Sequence, residues 1–306
     1  MIEIDGAQGE GGGQIIRSSL ALAAVTGKVF RITNIRAGRK KSGLKRQHVV
    51  GVKAAAEICS AQVTGAELES STITFEPGAI RGGNYTFQIS SAGSSTLVAQ
   101  TVLPALMLAE QPSTIMITGG THNPGGPPFD FLDRVYLQQL NKFGPRVTAK
   151  LEAYGFYPAG GGKIRLNIEP CQQLSGIELL DRGSQPQPSV CAIVSALPRH
   201  IAERECDVIR RKANWPASCL RVVEVERPVG PGNVVMIELA YENATEIFIG
   251  IGKRGVSAEQ VANRLYREAK AFLKTDVPVG EFLADQLLLP MGLAASQGQP
   301  LSLIHI

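Results

Sequence analysis

The chain has 306 residues, 44% of them hydrophobic and 19% charged, with a formal net charge of +4. That is long enough for two domains or one large α/β domain, and the composition excludes a disordered or fibrous chain. No apolar run approaches the roughly 20 residues of a membrane span, and Met1 to Val25 lacks a basic start followed by an apolar stretch, so a cytoplasmic or nuclear protein with no membrane partner is expected.

Met1 to Ile4 alternates as a short strand would, and Gln14 to Val25 carries Ile15, Ile16, Leu20 and Leu22 at helical spacing. Between them lies D-G-A-Q-G-E-G-G-G-Q, a glycine-rich loop feeding a helix N-terminus. Glycines there let backbone N–H groups approach a ligand, and the first helical turn favours an anion. Glu10 and Arg17 bracket the place: the carboxylate suits a metal or acid–base role, and Arg17 suits a phosphate. A tight strand-to-helix turn without a ligand explains the glycines equally well. No Gly-Lys-Ser/Thr closes the loop, so it is not a Walker P-loop.

Val29 to Ile35 reads as a strand, followed by A-G-R-K-K-S-G-L-K-R-Q-H and a helix ending near Cys59. Arg39 offers a fork to phosphates, and Gln47 and His48 stand at the helix start, where they could bond a ligand or simply be structural. Residues 1 to 60 hold ten Lys/Arg against four Asp/Glu, so the whole positive surplus lies beside the glycine loop. Such a patch fits a polyanion such as nucleic acid, or is a solvated charge run.

Thr72 to Phe75 and Asn84 to Ile89 alternate as strands around E-P-G-A-I-R-G-G. A Gly/Ser loop then opens a mostly apolar helix in which Pro104 is expected to cause a kink or break and Gln100 is polar among apolar neighbours. The strand Thr114 to Thr118 leads into a Gly/Pro loop with His122, which has no second His or Cys nearby to support metal ligation, and then the helix Phe129 to Phe143. The loop G-F-Y-P-A-G-G-G enters the strand Lys163 to Ile168, and the recurrence of strand, glycine loop and helix suggests a pseudo-repeated core.

From about Asp181 the composition becomes that of a linker, and two helices (Ala202 to Ala213, Ser257 to Leu273) among four strands suffice for a small α/β domain. Its G-I-G-K-R-G segment formally matches a dinucleotide fingerprint but is more simply a strand end and a turn before a Ser257 N-cap. The five cysteines, Cys59, Cys171, Cys191, Cys206 and Cys219, are scattered without a C-x-x-C pair, which argues against a disulfide framework or a zinc ribbon.

Taken together, D-G-A-Q-G-E-G-G-G-Q (5–14), R-A-G-R with L-K-R-Q-H (36–48), S-A-G-S-S-T-L-V-A-Q-T-V-L-P-A-L (91–106), G-F-Y-P-A-G-G-G (155–162), P-R-H-I-A-E-R-E (198–205) and V-G-E-F-L-A-D-Q-L-L-L-P-M (279–291) resemble the RNA 3'-terminal phosphate cyclase family in order and over nearly the whole chain. The resemblance implies an α/β (α+β) fold: a core of three repeated units, each a four-stranded sheet with two helices, over 1–181 plus 277–306, and a small inserted α/β domain over 182–276. It implies ATP with Mg2+ or Mn2+, an RNA bearing a 3'-terminal phosphate, and a 2',3'-cyclic phosphate product formed through histidine–AMP and RNA-adenylate intermediates. By resemblance, Gln100, Phe282, Leu283, Ala284, Asp285 and Gln286 contact the nucleotide. Glu10, Arg17, Arg39, Gln47 and His48 line the phosphate and RNA end, and Glu10 and Asp285 are candidate metal contacts. The family places its nucleophilic histidine after L-P-M in the form H-x-x-T-N. That segment is not found before Ile306, so a C-terminally truncated cyclase is expected, with His305 as the candidate nucleophile. The competing expectation is a cyclase-like RNA-binding protein of ribosome assembly without the nucleophile. A nicotinamide-dependent oxidoreductase rests on G-I-G-K-R-G alone.

Overall fold

The computed structural model describes residues 1–303, so His305 lies outside the described residues. The first sheet contains β1 (Ile2–Asp5), β2 (Phe30–Thr33), β3 (Gln62–Thr64) and β4 (Ile73–Glu76) in the order β1-β2-β4-β3. Helix α1 (Gly13–Thr26) joins the parallel pair β1 and β2, α2 (Arg46–Cys59) leads to β3, and β4 lies antiparallel between β2 and β3. The second sheet repeats this wiring with β5 (Asn84–Gln88), α3 (Ser95–Leu106), β6 (Ser113–Gly119), α4 (residues 129–143), β7 (Arg146–Ala153) and β8 (Gly162–Glu169), in the order β5-β6-β8-β7. The segment between β4 and β5 therefore links two sheets.

After β9 (Glu178–Leu179) comes a third sheet: β10 (Gln187–Ser195), α5 (His200–Ala213), β11 (Leu220–Glu224), β12 (Gly232–Ala240), β13 (Thr245–Ile251) and α6 (Ala258–Leu273). Helix α7 (Glu281–Ser296) then carries the chain to β14 (Ser302–Leu303), which pairs in parallel with β9. The third sheet, ordered β11-β10-β12-β13, thus interrupts a strand–helix–strand unit of the kind that opens the first two repeats.

The register explains why β10 reads as an unbroken apolar run. Val190, Ala192 and Val194 pack with α5 and α6, whereas Cys191 and Ile193 join Val234, Met236 and Ile247 in the main core. Both faces of the inserted sheet are covered, so period-two alternation is lost. On α5, Ala202, Cys206 and Ile209 recur at helical spacing and are buried; on α6, Ala262, Leu265, Ala269 and Phe272 do the same. Ser257 caps α6, accepting from Gln260 N at 3.2 Å, while the Gln260 side chain accepts from Ser257 N. β13 runs antiparallel to β12, and among the described residues no parallel strand of that sheet follows α6, so G-I-G-K-R-G is not part of a dinucleotide-binding crossover.

Two helices depart from expectation. α3 is not broken at Pro104 and continues to Leu106. α4 opens as an α-helix, widens into a π turn over Leu132–Tyr136 and closes through short α and 3-10 turns. There Arg134 pairs with Asp130 on its own helix and with Glu238 on β12. Buried His122 bonds Asp130 Oδ2 at 2.9 Å through Nε2 and Thr121 Oγ1 at 2.8 Å through Nδ1. Burial alone would raise the Asp130 carboxyl, but His122 and Arg134 outweigh it and hold it at about 2. This chain of charges fastens the inserted sheet to the second repeat. No helix of the described residues is long and apolar enough to cross a membrane.

Two further buried carboxyls are pushed up to about 7 by desolvation. Glu205 on α5 accepts from Asn233 Nδ2 at 2.9 Å and leaves its other oxygen unpartnered, while Glu246 on β13 accepts from Gly280 N at 2.9 Å, at the start of α7. Each shift corresponds to about 3 kcal/mol. The folded pKa lies above the unfolded one, so this stability is full below about pH 4.5 and is lost as pH rises through about 7. Urea unfolding is expected to give a lower midpoint at pH 8 than at pH 5.5, and Glu205→Gln with Glu246→Gln is expected to flatten that slope. An equal slope in the double variant would assign the dependence to other groups.

Candidate functional site

The loop after β1 is shaped by its own polar contacts. Asp5 Oδ1 accepts from Ala7 N at 3.0 Å and from Asn34 Nδ2 at 3.2 Å, while Gly9 and Gly11 take φ of +57° and +54°. Gly12 precedes α1 with no side-chain cap, so the first-turn N–H groups remain directed at the loop mouth.

Four residues read from the sequence converge on Gly12 and Gly13. Arg39 pairs with Glu10 at 3.4 Å, and a Cβ on Gly12 would lie 3.3 Å from the Arg39 guanidinium and 3.8 Å from the Glu10 carboxylate. One residue on, a Cβ on Gly13 would lie 2.6 Å from His48 Nε2 and 3.1 Å from Arg17 Nη1. Arg39 and Glu10 are solvent-exposed, whereas Arg17 and His48 form the floor. Burial lowers Arg17 to about 10 against the opposing pull of Asp285, which leaves the guanidinium charged at neutral pH.

His48 is held in one tautomer. Its Nδ1 accepts from Lys45 N at 3.1 Å, so the proton of the neutral ring sits on Nε2, facing Gly13. Burial, then the charges of Arg36, Arg17 and Lys45, push its pKa down to about 3. At neutral pH His48 is therefore an uncharged donor and not a general base. Substrate binding is expected to show no titration of this residue between pH 5 and 9; a binding limb near pH 6.5 that vanishes in His48→Gln would contradict this.

Two cavities meet at Arg17. One lies between α1, α2 and α3 and includes Gln47, His48 and Thr101; the other is an open cleft bounded by Gln14, Ser18, Gln100, Tyr136, Asp285 and Gln286. Gln100 donates to Gln286, which ties α3 to α7 across this cleft, while Arg17 donates to Gln14 within α1. Gln47 is half committed to the fold, since its Oε1 accepts from Ser94 N at 3.0 Å and holds the loop before α3.

Position on α7 separates the remaining expected residues. Asp285 and Gln286 face the cleft, and Phe282 is 68% exposed. Leu283 and Ala284 are buried in the core, so their side chains fix the helix and do not reach into the cleft. Gln14, Ser18 and Tyr136 were missed as site residues; a polar residue at each end of Gln14-Ile-Ile-Arg17-Ser18, spaced by one turn, was the available signal for the first two.

The sequence that builds this site resembles known proteins over nearly its whole length. The sequence profile described as RNA 3'-terminal phosphate cyclase matches residues 8–304. A protein named RNA 3'-terminal phosphate cyclase from Koribacter versatilis (strain Ellin345) is 50% identical over 294 residues, which are 96% of this chain and 83% of that protein. The chain belongs to the RNA 3'-terminal phosphate cyclase family. The matched residues run from within the glycine loop to β14, so the inserted sheet and its buried charge chain belong to the matched region.

Proposed function

We propose that the chain uses ATP to convert an RNA 3'-terminal phosphate into a 2',3'-cyclic phosphate. A histidine nitrogen attacks the α-phosphorus of ATP and pyrophosphate leaves; an oxygen of the RNA phosphate then displaces the histidine and takes AMP. The neighbouring 2'-hydroxyl attacks the 3'-phosphorus, loses its proton, and AMP departs as the ring closes. Each step redistributes phosphate charge, so fixed cations and donors carry the rate.

The observation that supports this reading is the half-buried, charged Arg17 beside a buried, neutral His48 donor, both packed on Gly13 beneath an uncapped helix N-terminus. In this reading the RNA phosphate lies over Gly12 and Gly13, met by Arg17, His48 Nε2 and Arg39, with Gln47 at its edge. The nucleotide occupies the cleft of Gln100, Asp285 and Gln286, with Phe282 at its rim. Among the described residues no three His, Cys, Asp or Glu side chains form a metal cage. Glu10 and Asp285 instead suit Mg2+ or Mn2+ carried on substrate phosphates with one protein carboxylate. Such an ion would neutralise phosphate charge when bound.

Of the four histidines, His48 is protonated on the nitrogen facing the loop, His122 has both nitrogens bonded inside the core, and His200 opens α5 of the inserted sheet, while the family resemblance points to the segment after α7 that holds His305. His305 is the proposed nucleophile. Incubation with α-labelled ATP and Mg2+ is expected to leave acid-labile, alkali-stable label on the protein, absent in His305→Ala. A chain that binds ATP and 3'-phosphate RNA yet takes no label would be a cyclase-like RNA-binding protein instead.

A further inference from the structure

The ladders place the glycine-rich loops of all three four-stranded sheets along one rim. Loops 6–12 and 34–45 leave the carboxyl ends of β1 and β2; loops 89–94 and 120–128 leave those of β5 and β6, and 154–161 joins β7 to β8 at that same end. In the inserted sheet the Ser195–Gly232 and Val234–Ile251 pairs put loops 196–199, 225–231 and 252–257 together at the carboxyl end of β10. Close contacts connect these ends in sequence. Gln47 holds Ser94 N at 3.0 Å, and a Cβ on Gly160 would lie 3.0 Å from Ser91 O. A Cβ on Gly161 would lie 2.8 Å from Val229, and one on Gly230 would lie 2.6 Å from Ala159.

Charge and shape change systematically along this rim. The first-sheet end exposes Arg39, Lys40 and Lys41. Loops 89–94, 120–128 and 154–161 contain no Lys, Arg, Asp or Glu, and in their midst Tyr157 is 68% exposed. Beyond them the inserted loops expose Arg227, Lys253 and Arg254, none of which has an ion-pair partner among the described residues; one exposed carboxylate, Glu226, lies among them, and Arg199 is paired with Glu203 at 2.9 Å. A neutral, close-packed saddle with one exposed aromatic ring, leading to unpaired cations, is the chemistry of a single-stranded nucleic-acid track.

We propose that an RNA whose 3' end lies at Arg17 and His48 continues over the 154–161 loop, stacks a base on Tyr157 and lays its upstream phosphates on Arg227, Lys253 and Arg254. This rests on the reading of the end site given above. Stacking and phosphate contact ignore base identity, so binding through this track grows with RNA length and not with sequence.

The test compares labelled oligoribonucleotides of two and ten nucleotides, each ending in a 3'-phosphate or a 3'-hydroxyl. The wild-type chain is expected to bind the 3'-phosphate decamer more tightly than the dinucleotide. Tyr157→Ala is expected to weaken the decamer by about tenfold, with Tyr157→Phe restoring it. Arg227→Ala with Lys253→Ala and Arg254→Ala is expected to lower the slope of log affinity against log salt by about 2. Equal affinity for both lengths, or a decamer affinity and salt slope unmoved by these variants while the 3'-phosphate is still preferred, overturns the track and leaves the end site standing. No preference for the 3'-phosphate in the wild-type chain overturns the end-site reading, and the track with it.

Discussion

Arg17→Met is expected to lower the rate of RNA-end cyclisation by about 10²- to 10³-fold while leaving thermal stability nearly unchanged. The guanidinium is desolvated beneath the glycine loop, and its pKa is lowered by that burial despite Asp285. A half-buried cation, partly stripped of water, interacts with phosphate more strongly than one on the open surface, and it needs little reorganisation when charge develops. Folding gains little from it, because desolvation of the charge offsets its attraction to Asp285 and methionine fills similar space. Single-turnover assays with saturating ATP, set beside thermal unfolding curves, separate the two effects. A variant that unfolds early but cyclises normally when folded would make Arg17 a structural residue.

Gly13→Ala is expected to cost at least about a hundredfold in the same assay, although alanine is the better helix former. Gly13 lies in α1 and carries no left-handed φ, so backbone strain plays no part. The added methyl would fall 2.6 Å from His48 Nε2 and 3.1 Å from Arg17 Nη1, and both side chains would have to move. His48 is held through Nδ1 by Lys45 N, so it can yield only by breaking that bond. Displacement of positioned groups by about 1 Å costs rates of this order, whereas the helix itself gains about 1 kcal/mol from glycine replaced by alanine. The broken Lys45–His48 bond offsets that gain, so urea unfolding should show a change of no more than about 1 kcal/mol beside the lost activity. Undiminished cyclisation would mean that neither side chain needs its place against Gly13.

The glycine loop and its helix were legible in sequence because Gly and apolar spacing are local signals, and Ser257 was legible as a cap for the same reason. The proximity of Glu10, Arg17, Arg39 and His48 came from the family resemblance, since nothing in residues 5–48 alone dictates that α2 lies across α1. β7 was not anticipated although R-V-T-A-K-L-E-A alternates strictly, with Val147, Ala149, Leu151 and Ala153 on the less exposed face; the period-two signal was there to be read. Arg134 with Glu238 depends on a π turn and on a partner in another sheet, and neither leaves a mark in a single sequence.

The pairing of β9 with β14 implies an order of assembly. These two short strands are separated in sequence by the whole inserted sheet, so their contact carries a high loop-closure entropy until that sheet has condensed. Helix α7 lies on the late side of that closure and brings Asp285 and Gln286. In refolding the closure of β9 on β14 is expected to follow formation of the glycine loop and its helix, so recovery of ligand binding at the cleft walled by Asp285 and Gln286 is expected to lag behind recovery of far-ultraviolet signal.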